Sequence, residues 1–182
     1  ADRIELSAKN LNLCDPESCF QTEQLITLQL NASVGRNQII TFFDRDRNSL
    51  EPRTYVNDTV IDFWMLWMMR NVHSSSSSIL IMSTHFYSES ININRGGIKA
   101  VSGWNQNKKI DVFEKKIIFL PINLDNHWSL CAIYYPNKIH LLTQNVDISA
   151  ISEEVPFMMH LDSLKYHSSS EIAQNVRKWL NV

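Results

Sequence analysis

The hydrophobic positions of this chain change period several times, and each change marks an element. Leu25-Ile26-Thr27-Leu28-Gln29-Leu30 and Ile39-Ile40-Thr41-Phe42-Phe43 are rich in β-branched and aromatic side chains. They predict two strands, separated by a polar turn around Gly35. The charged run Asp44-Arg45-Asp46-Arg47 predicts another turn. Asn57 or Asp58 suits a helix N-cap, and the helix it opens is predicted to run to about Asn71. Val60, Ile61, Phe63, Trp64, Leu66, Trp67 and Met68 make that helix apolar almost all round, so it is expected to lie in the core. The serine run Ser74 to Ser78 ends it as a loop.

The second half begins with a mixed segment, Ile79 to Tyr87, predicted as a short strand running into a helical turn. Residues 88–108 are polar, contain Gly96-Gly97, and predict a surface excursion around Trp104. Three strands are then expected, at about 116–122, 127–135 and 138–142, the last two joined by a tight hairpin at Pro136-Asn137. Residues 143–155 read as an acidic loop before a strand at 157–161. Ser168-Ser169-Ser170-Glu171 is a capping box, and Ile172, Val176, Trp179 and Leu180 form one apolar stripe of the helix it opens. No internal repeat interrupts this order. The pattern predicts an α+β fold, a mixed sheet with one buried core helix and further helices against it.

Composition narrows the function classes. A chain of 182 residues, 44% hydrophobic, with five Trp, eight Phe and five Tyr, can bury one real core but not two. The net charge of −2 argues against long-range attraction to nucleic acid or an anionic membrane. The longest apolar stretch, Val60 to Met69, is interrupted by Asp62 and is about half of the roughly 20 residues a membrane span needs. Three cysteines and no signal-like N-terminus point to a reducing, intracellular compartment. The chain starts at Ala1, which suggests a fragment.

The candidate chemistry lies in two segments. Ile117-Ile118-Phe119-Leu120-Pro121-Ile122-Asn123 leads through a short turn to His127-Trp128-Ser129-Leu130, and Met158-Met159-His160-Leu161 leads to Asp162-Ser163-Leu164. Each places a titratable side chain at the end of an apolar β-type run, where a sheet can hold it rigidly. A His and a carboxylate held this way are two parts of a nucleophilic triad. Cys131 lies four residues along the strand from His127 and reads as a small buried hydrophobe. Cys14 and Cys19 flank Asp15-Pro16-Glu17-Ser18 without the paired spacing of a zinc site. Asp15 beside Cys14 would also disfavour a thiolate. No metal or cofactor is therefore expected. A metal-dependent hydrolase built on His127, Asp162 and another His lacks any HExxH-type spacing.

The joint context resembles the ubiquitin-like-protein proteases, the sentrin/SUMO-specific cysteine peptidases. It is carried by Pro-Ile-Asn before His-Trp-Ser-Leu, then Leu-Asp-Ser-Leu and a helix, by Tyr55-Val56-Asn57-Asp58-Thr59-Val60-Ile61-Asp62-Phe63 upstream, and by Ile110-Asp111-Val112-Phe113. The excursions before the His strand and between it and the Asp strand are similar to the branch that trims SUMO chains. The resemblance covers roughly residues 39–182, leaving 1–38 as an extension of uncertain structure. It implies a papain-like fold whose C-terminal part is missing here. It also implies a SUMO or related ubiquitin-like partner cleaved after Gly-Gly, a monomer, and no cofactor. By the same resemblance His127 is the base and acid for a thiol, and Asp162 orients its ring. Trp128 would line a tunnel over the substrate tail, although plain packing is its alternative. Tyr55 occupies the other tunnel position, usually Trp. Asp58 meets a basic residue of the modifier, with helix capping as its competing use.

One departure matters. The family continues past the equivalent of residues 170–181 with a strand, a Gln that supplies an oxyanion donor, and Asp-Cys-Gly carrying the nucleophile. Without that Gln the tetrahedral oxyanion loses a donor worth roughly 3 kcal/mol. The chain as written is therefore expected to be an inactive fragment of an active protease. The alternative is a non-enzymatic pseudoprotease that holds a ubiquitin-like tail through Trp128, Tyr55 and Asp58.

Overall fold

A computed structural model describes residues 24–31, 37–72, 78–91, 111–143 and 154–180. The chain divides into two compact units, Ala1–Val72 and His73–Val182. The expected turn around Gly35, Ser74–Ser77 of the expected serine loop, most of the expected 88–108 excursion, residues 144–153 of the expected 143–155 loop, and Cys14 and Cys19 lie outside the described residues.

In the first unit, β1 (Gln24–Asn31) pairs antiparallel with β2 (Asn37–Phe43), from Leu30 opposite Gln38 to Ile26 opposite Phe42. The charged run that follows is not a simple turn but a short helix, α1 (Asp44–Asn48). Asp46 makes the difference, because its Oδ2 accepts the Phe43 backbone N–H at 2.7 Å and closes the helix entrance. Its side chain is almost wholly buried, and its Oδ1 accepts a hydrogen bond from Asn57 Nδ2 at 2.6 Å. Asn57 in turn caps the next helix, α2 (Asp58–Val72), by accepting the Val60 N–H at 3.1 Å. One side chain thus ties α1 to the start of α2.

The expected core burial of α2 does not hold. None of its described side chains is fully buried; Trp64 is 53% and Trp67 36% exposed. Phe63 meets Phe42 of β2 edge-on at 5.1 Å, while Trp64 and Trp67 stack on each other at 5.0 Å. The cause is one of supply. A helix apolar on every side needs neighbours on every side, and the two strands and five-residue helix that are its described neighbours in this unit cannot surround it.

The second unit holds a four-stranded mixed sheet in the order β3-β4-β5-β6. Its strands are β3 (Ile79–Ile81), β4 (Ile117–Leu124), β5 (His127–Tyr134) and β6 (Phe157–Leu161). β3 runs parallel to β4, and the other pairs are antiparallel. β3 matches the expected short strand, but the helical turn comes later than expected: the π-helical turn Tyr87–Ile91 takes in the first residues of the expected surface excursion and buries Ile91 completely. The hairpin between β4 and β5 turns on Asp125 and Asn126, with φ of 51° and 60°. Two consecutive left-handed residues match the right-handed twist of the strands, and Asp and Asn tolerate that region better than other side chains.

The expected strand at 138–142 and its hairpin at Pro136-Asn137 are absent. Residues Pro136–Thr143 form a 3-10 helix instead. Tyr135 turns the chain away at φ 49°, and its N–H donates to the Lys116 carbonyl at 2.7 Å. A returning strand would find no edge, because β5 is already paired with β4 on one side and β6 on the other.

Helix α3 (Ser169–Leu180) covers one face of this sheet with the predicted stripe of Ile172, Val176, Trp179 and Leu180, all buried. Ser168 caps it by accepting the Glu171 N–H at 3.3 Å. The core they join contains Ile118, Leu120, Ile122, Cys131 and Ile133. Asn175 on the same helix donates to the Tyr87 hydroxyl at 3.2 Å, tying α3 to the π-helical turn. No helix of the described residues is long and apolar enough to cross a membrane.

The Asp46–Asn57 clip generates a stability prediction. Asn57→Ala removes both the cap and the partner of a buried carboxylate, and should cost roughly 2–3 kcal/mol in urea denaturation. Asn57→Asp restores the cap but sets two carboxylates against each other, so it should rescue little. An Asp variant as stable as the native chain would contradict the clip.

Candidate active site

His127 is the first residue of β5, and Asp162 follows the last residue of β6. Strand alternation puts His127, Ser129, Cys131 and Ile133 on the face covered by α3. The register sets Ile133 opposite Met158 and Cys131 opposite His160, so Met158, His160 and Asp162 continue along that same face. Two residues far apart in sequence are thereby delivered to one end of one sheet. His127 Nε2 and Asp162 Oδ1 lie 2.6 Å apart, with side chains 15% and 5% exposed.

A carboxylate can only accept, so a neutral His127 carries its proton on Nε2 and keeps the Nδ1 lone pair. No hydrogen bond to Nδ1 is seen among the described residues. Asp162 is fixed from two further directions: Oδ1 also accepts the Leu164 N–H at 3.0 Å, and Oδ2 accepts the His167 N–H at 2.8 Å. Burial by itself would raise the carboxyl pKa. The hydrogen bonds from His127, His167 and Leu164 outweigh it and hold the group well below the usual carboxylate range. The pair therefore presents an oriented imidazole with an anion behind it, the arrangement of a general base whose cation is stabilised as it forms.

Behind the pair lies a set of groups that the strand patterns did not single out. The His167 ring packs edge-on against His127, with centroids 4.8 Å apart, and Tyr166 packs edge-on from another side at 5.8 Å. His167 Nε2 reaches the Leu124 carbonyl at 3.1 Å, and its Nδ1 reaches Ser129 Oγ at 2.7 Å. Ser129 Oγ also meets His160 Nε2 at 3.0 Å, and His160 Nδ1 meets Ser169 Oγ at 2.7 Å. Burial pushes the His160 pKa down, which favours its neutral form. Only the closeness of Tyr166 and His167 to Asp162 in sequence hinted at this. The turn that folds them back, with Lys165 at φ 53°, has no signature in the residue pattern.

The other sequence candidates stand as follows. Trp128 is half-buried, pairs across to Asn123, and by alternation occupies the sheet face opposite His127. In the first unit, Tyr55 is 75% exposed, and Asp58 is the half-buried first residue of α2. The cap of that helix is Asn57, so Asp58 is not occupied with capping. Cys131 is fully buried in mid-strand, and burial pushes its thiol up to about 12. A thiol of that kind is no nucleophile near neutral pH.

Possible metal-ligating atoms of His127, Asp162 and His167 lie within 4.8 Å of one another. His127 is nevertheless bonded to Asp162 at 2.6 Å, and both nitrogens of His167 are engaged. An ion at about 2.0–2.2 Å from each ligand would have to break those bonds first.

With this geometry in view, similarity to known proteins is specific. Residues 54–181 match the Ulp1 protease family, C-terminal catalytic domain. A relative named "Probable ubiquitin-like-specific protease 2B", from Arabidopsis thaliana, is 29% identical over 174 residues, covering 90% of this chain and 18% of that protein. The chain thus spans under a fifth of the length of that relative. Among solved structures, a de-sumoylating protease aligns with a TM-score of 0.64 at 23% identity, covering 85% of this chain and 54% of that one. The C-terminal Ulp1 protease domain in complex with Smt3, the yeast ortholog of SUMO, aligns with a TM-score of 0.55 at 24% identity, covering 85% and 58%. Both support the α+β fold.

Two outcomes follow. Because the Asp162 pKa is depressed in the folded state, its contribution to stability is present above the ordinary value of about 4 and is lost as pH falls below it. Urea midpoints between pH 6 and pH 2 should therefore fall less steeply in Asp162→Asn than in the native chain. Iodoacetamide at pH 8 should leave Cys131 unmodified in the folded chain and alkylate it only after denaturation, as read by peptide mass mapping.

Proposed function

Since the chain belongs to the Ulp1 protease family, we propose that it is part of a cysteine protease that removes SUMO or a related ubiquitin-like protein by cleaving after its Gly-Gly tail. The observation that carries this reading is the His127–Asp162 hydrogen bond at 2.6 Å, with Nδ1 of the imidazole left to receive a proton. In this reading His127 takes the proton of a cysteine thiol as the thiolate attacks the carbonyl of the tail, then returns it to the departing amine. Asp162 keeps the imidazole in the useful tautomer and balances its charge. The thiol is not Cys131, which is too deeply buried and too weak an acid. Residues 1–182 alone are accordingly proposed to be inactive.

For the partner, support comes from the Smt3 complex formed by a protein of the same fold. Trp128 is proposed to cover the extended tail, and Tyr55 and Asp58 to contact the modifier. Residues 39–182 are proposed to be the part of the catalytic domain present here, with 1–38 as an extension that contributes β1. A monomer acting in the nucleus or cytoplasm, with no nucleic acid partner, completes the proposal. The intact base–carboxylate pair favours catalysis over a role in binding alone, because tail capture by itself needs no oriented imidazole.

The test has two parts. Titrating a fluorescently labelled SUMO-type modifier into this chain should give saturable binding, weakened roughly tenfold or more by Trp128→Ala. In the full gene product, His127→Ala should lower Gly-Gly cleavage by about a thousandfold or more. Unchanged cleavage in that variant would sink the catalytic reading, and no binding to any ubiquitin-like modifier would sink the partner.

A further inference from the structure

His167 makes more contacts around the His127–Asp162 pair than any role so far requires of it. Its backbone N–H holds Asp162 Oδ2 at 2.8 Å. Its ring, buried and edge-on to His127 at 4.8 Å, bonds to the opposite side of the site. There Nε2 reaches the carbonyl of Leu124, which is the register partner of His127 across the β4–β5 hairpin. One residue therefore grips the carboxylate through its main chain and the base of the imidazole's hairpin through its side chain.

The proton positions in this cluster can be assigned from chemistry. A backbone carbonyl only accepts, so His167 carries a proton on Nε2 and, when neutral, accepts at Nδ1. Ser129 must then donate its hydroxyl proton to His167, leaving its oxygen to accept the Nε2 proton of His160. His160 in turn accepts at Nδ1 from the Ser169 hydroxyl. The bonds run in one direction, from the first residue of α3 through β6 and β5 to the end of β4. Every member has a unique role as donor or acceptor. Such a chain, buried at its Ser129 and His167 members, resists rotation of any one ring because turning it leaves a neighbour unsatisfied.

We propose that His167 is a positioning residue for the catalytic pair, holding the His127 ring and the Asp162 carboxylate in register through the Ser169–His160–Ser129–His167–Leu124 chain. The inference rests on the proposed roles of His127 and Asp162. It assigns a second, inner histidine to the site, one that touches neither substrate nor thiol. It also makes the N-terminus of α3 part of the support for the imidazole.

The experiment is imidazole NMR on the full 182-residue chain, reading the His127 Nε2 proton, its tautomer and its exchange with water. In the native chain that proton should be held against exchange by Asp162. His167→Phe keeps a ring and the backbone N–H but removes both side-chain bonds, and should speed exchange roughly three- to tenfold, as expected for loss of about one net hydrogen bond. His167→Gln retains a donor toward Leu124 and should fall between the two. The amide spectrum of β4 and β5 reports whether each variant is folded. If the Phe variant does not fold, the Gln variant decides by the same criterion. Native exchange and tautomer in a folded Phe or Gln variant would overturn the proposal. Asp162→Ala, which leaves no acceptor for the His127 Nε2 proton, separates the two failures. If it leaves the His127 proton unchanged, the pair itself is misread; if it alters that proton while the His167 variants do not, only the role of His167 is lost.

Discussion

Pairing of β5 on both sides is the constraint on which the second unit depends. With β4 hydrogen-bonded along one edge and β6 along the other, its register is fixed residue by residue, and a slip by one position would turn Cys131 and Ile133 out of the core. The same pairing denies an edge to any further strand, which is why the chain leaves Tyr135 as a 3-10 helix. It also delivers His127 and Asp162 to the same end of the sheet without either having to find the other. The 2.6 Å bond between them follows from that delivery together with the backbone bonds that hold Asp162 within its own loop.

Much of this architecture is readable from local pattern. The cap at Ser168 and the stripe of Ile172, Val176, Trp179 and Leu180 specify α3 through two independent rules, and both rules agree. The apolar runs that became β4, β5 and β6 are similarly unambiguous. What pattern cannot supply is the identity of neighbours. Pro136-Asn137 is good hairpin chemistry, and only the occupied edges of β5 prevent a hairpin. Trp64 and Trp67 are good core residues, but burial depends on how much surface the surrounding elements offer.

The site divides in the same way. His127 and Asp162 stand at the ends of strongly patterned strands, so their importance shows in sequence. Ser129, His160, His167 and Tyr166 acquire theirs from a turn after Asp162 and from contacts across three elements. A serine in a strand and a histidine in a loop carry no mark of such use. Asp162 illustrates the energetic side: burial and hydrogen bonding pull its pKa in opposite directions, and the bonds that decide the outcome come from its own loop as well as from His127.

The strand pairing has an evolutionary corollary. Because the β5–β6 pairing already brings the ends of these strands together, the length of the sequence between Thr143 and Glu154 does not enter the register that sets them side by side. That length is a free variable. For a flexible connection, closing the loop costs only about 0.6 kcal/mol for each doubling of length. Insertions there can be gained, lost or rebuilt without disturbing the imidazole and carboxylate on either side. A lineage could therefore change the length of that stretch while the strands on either side of it stay as they were.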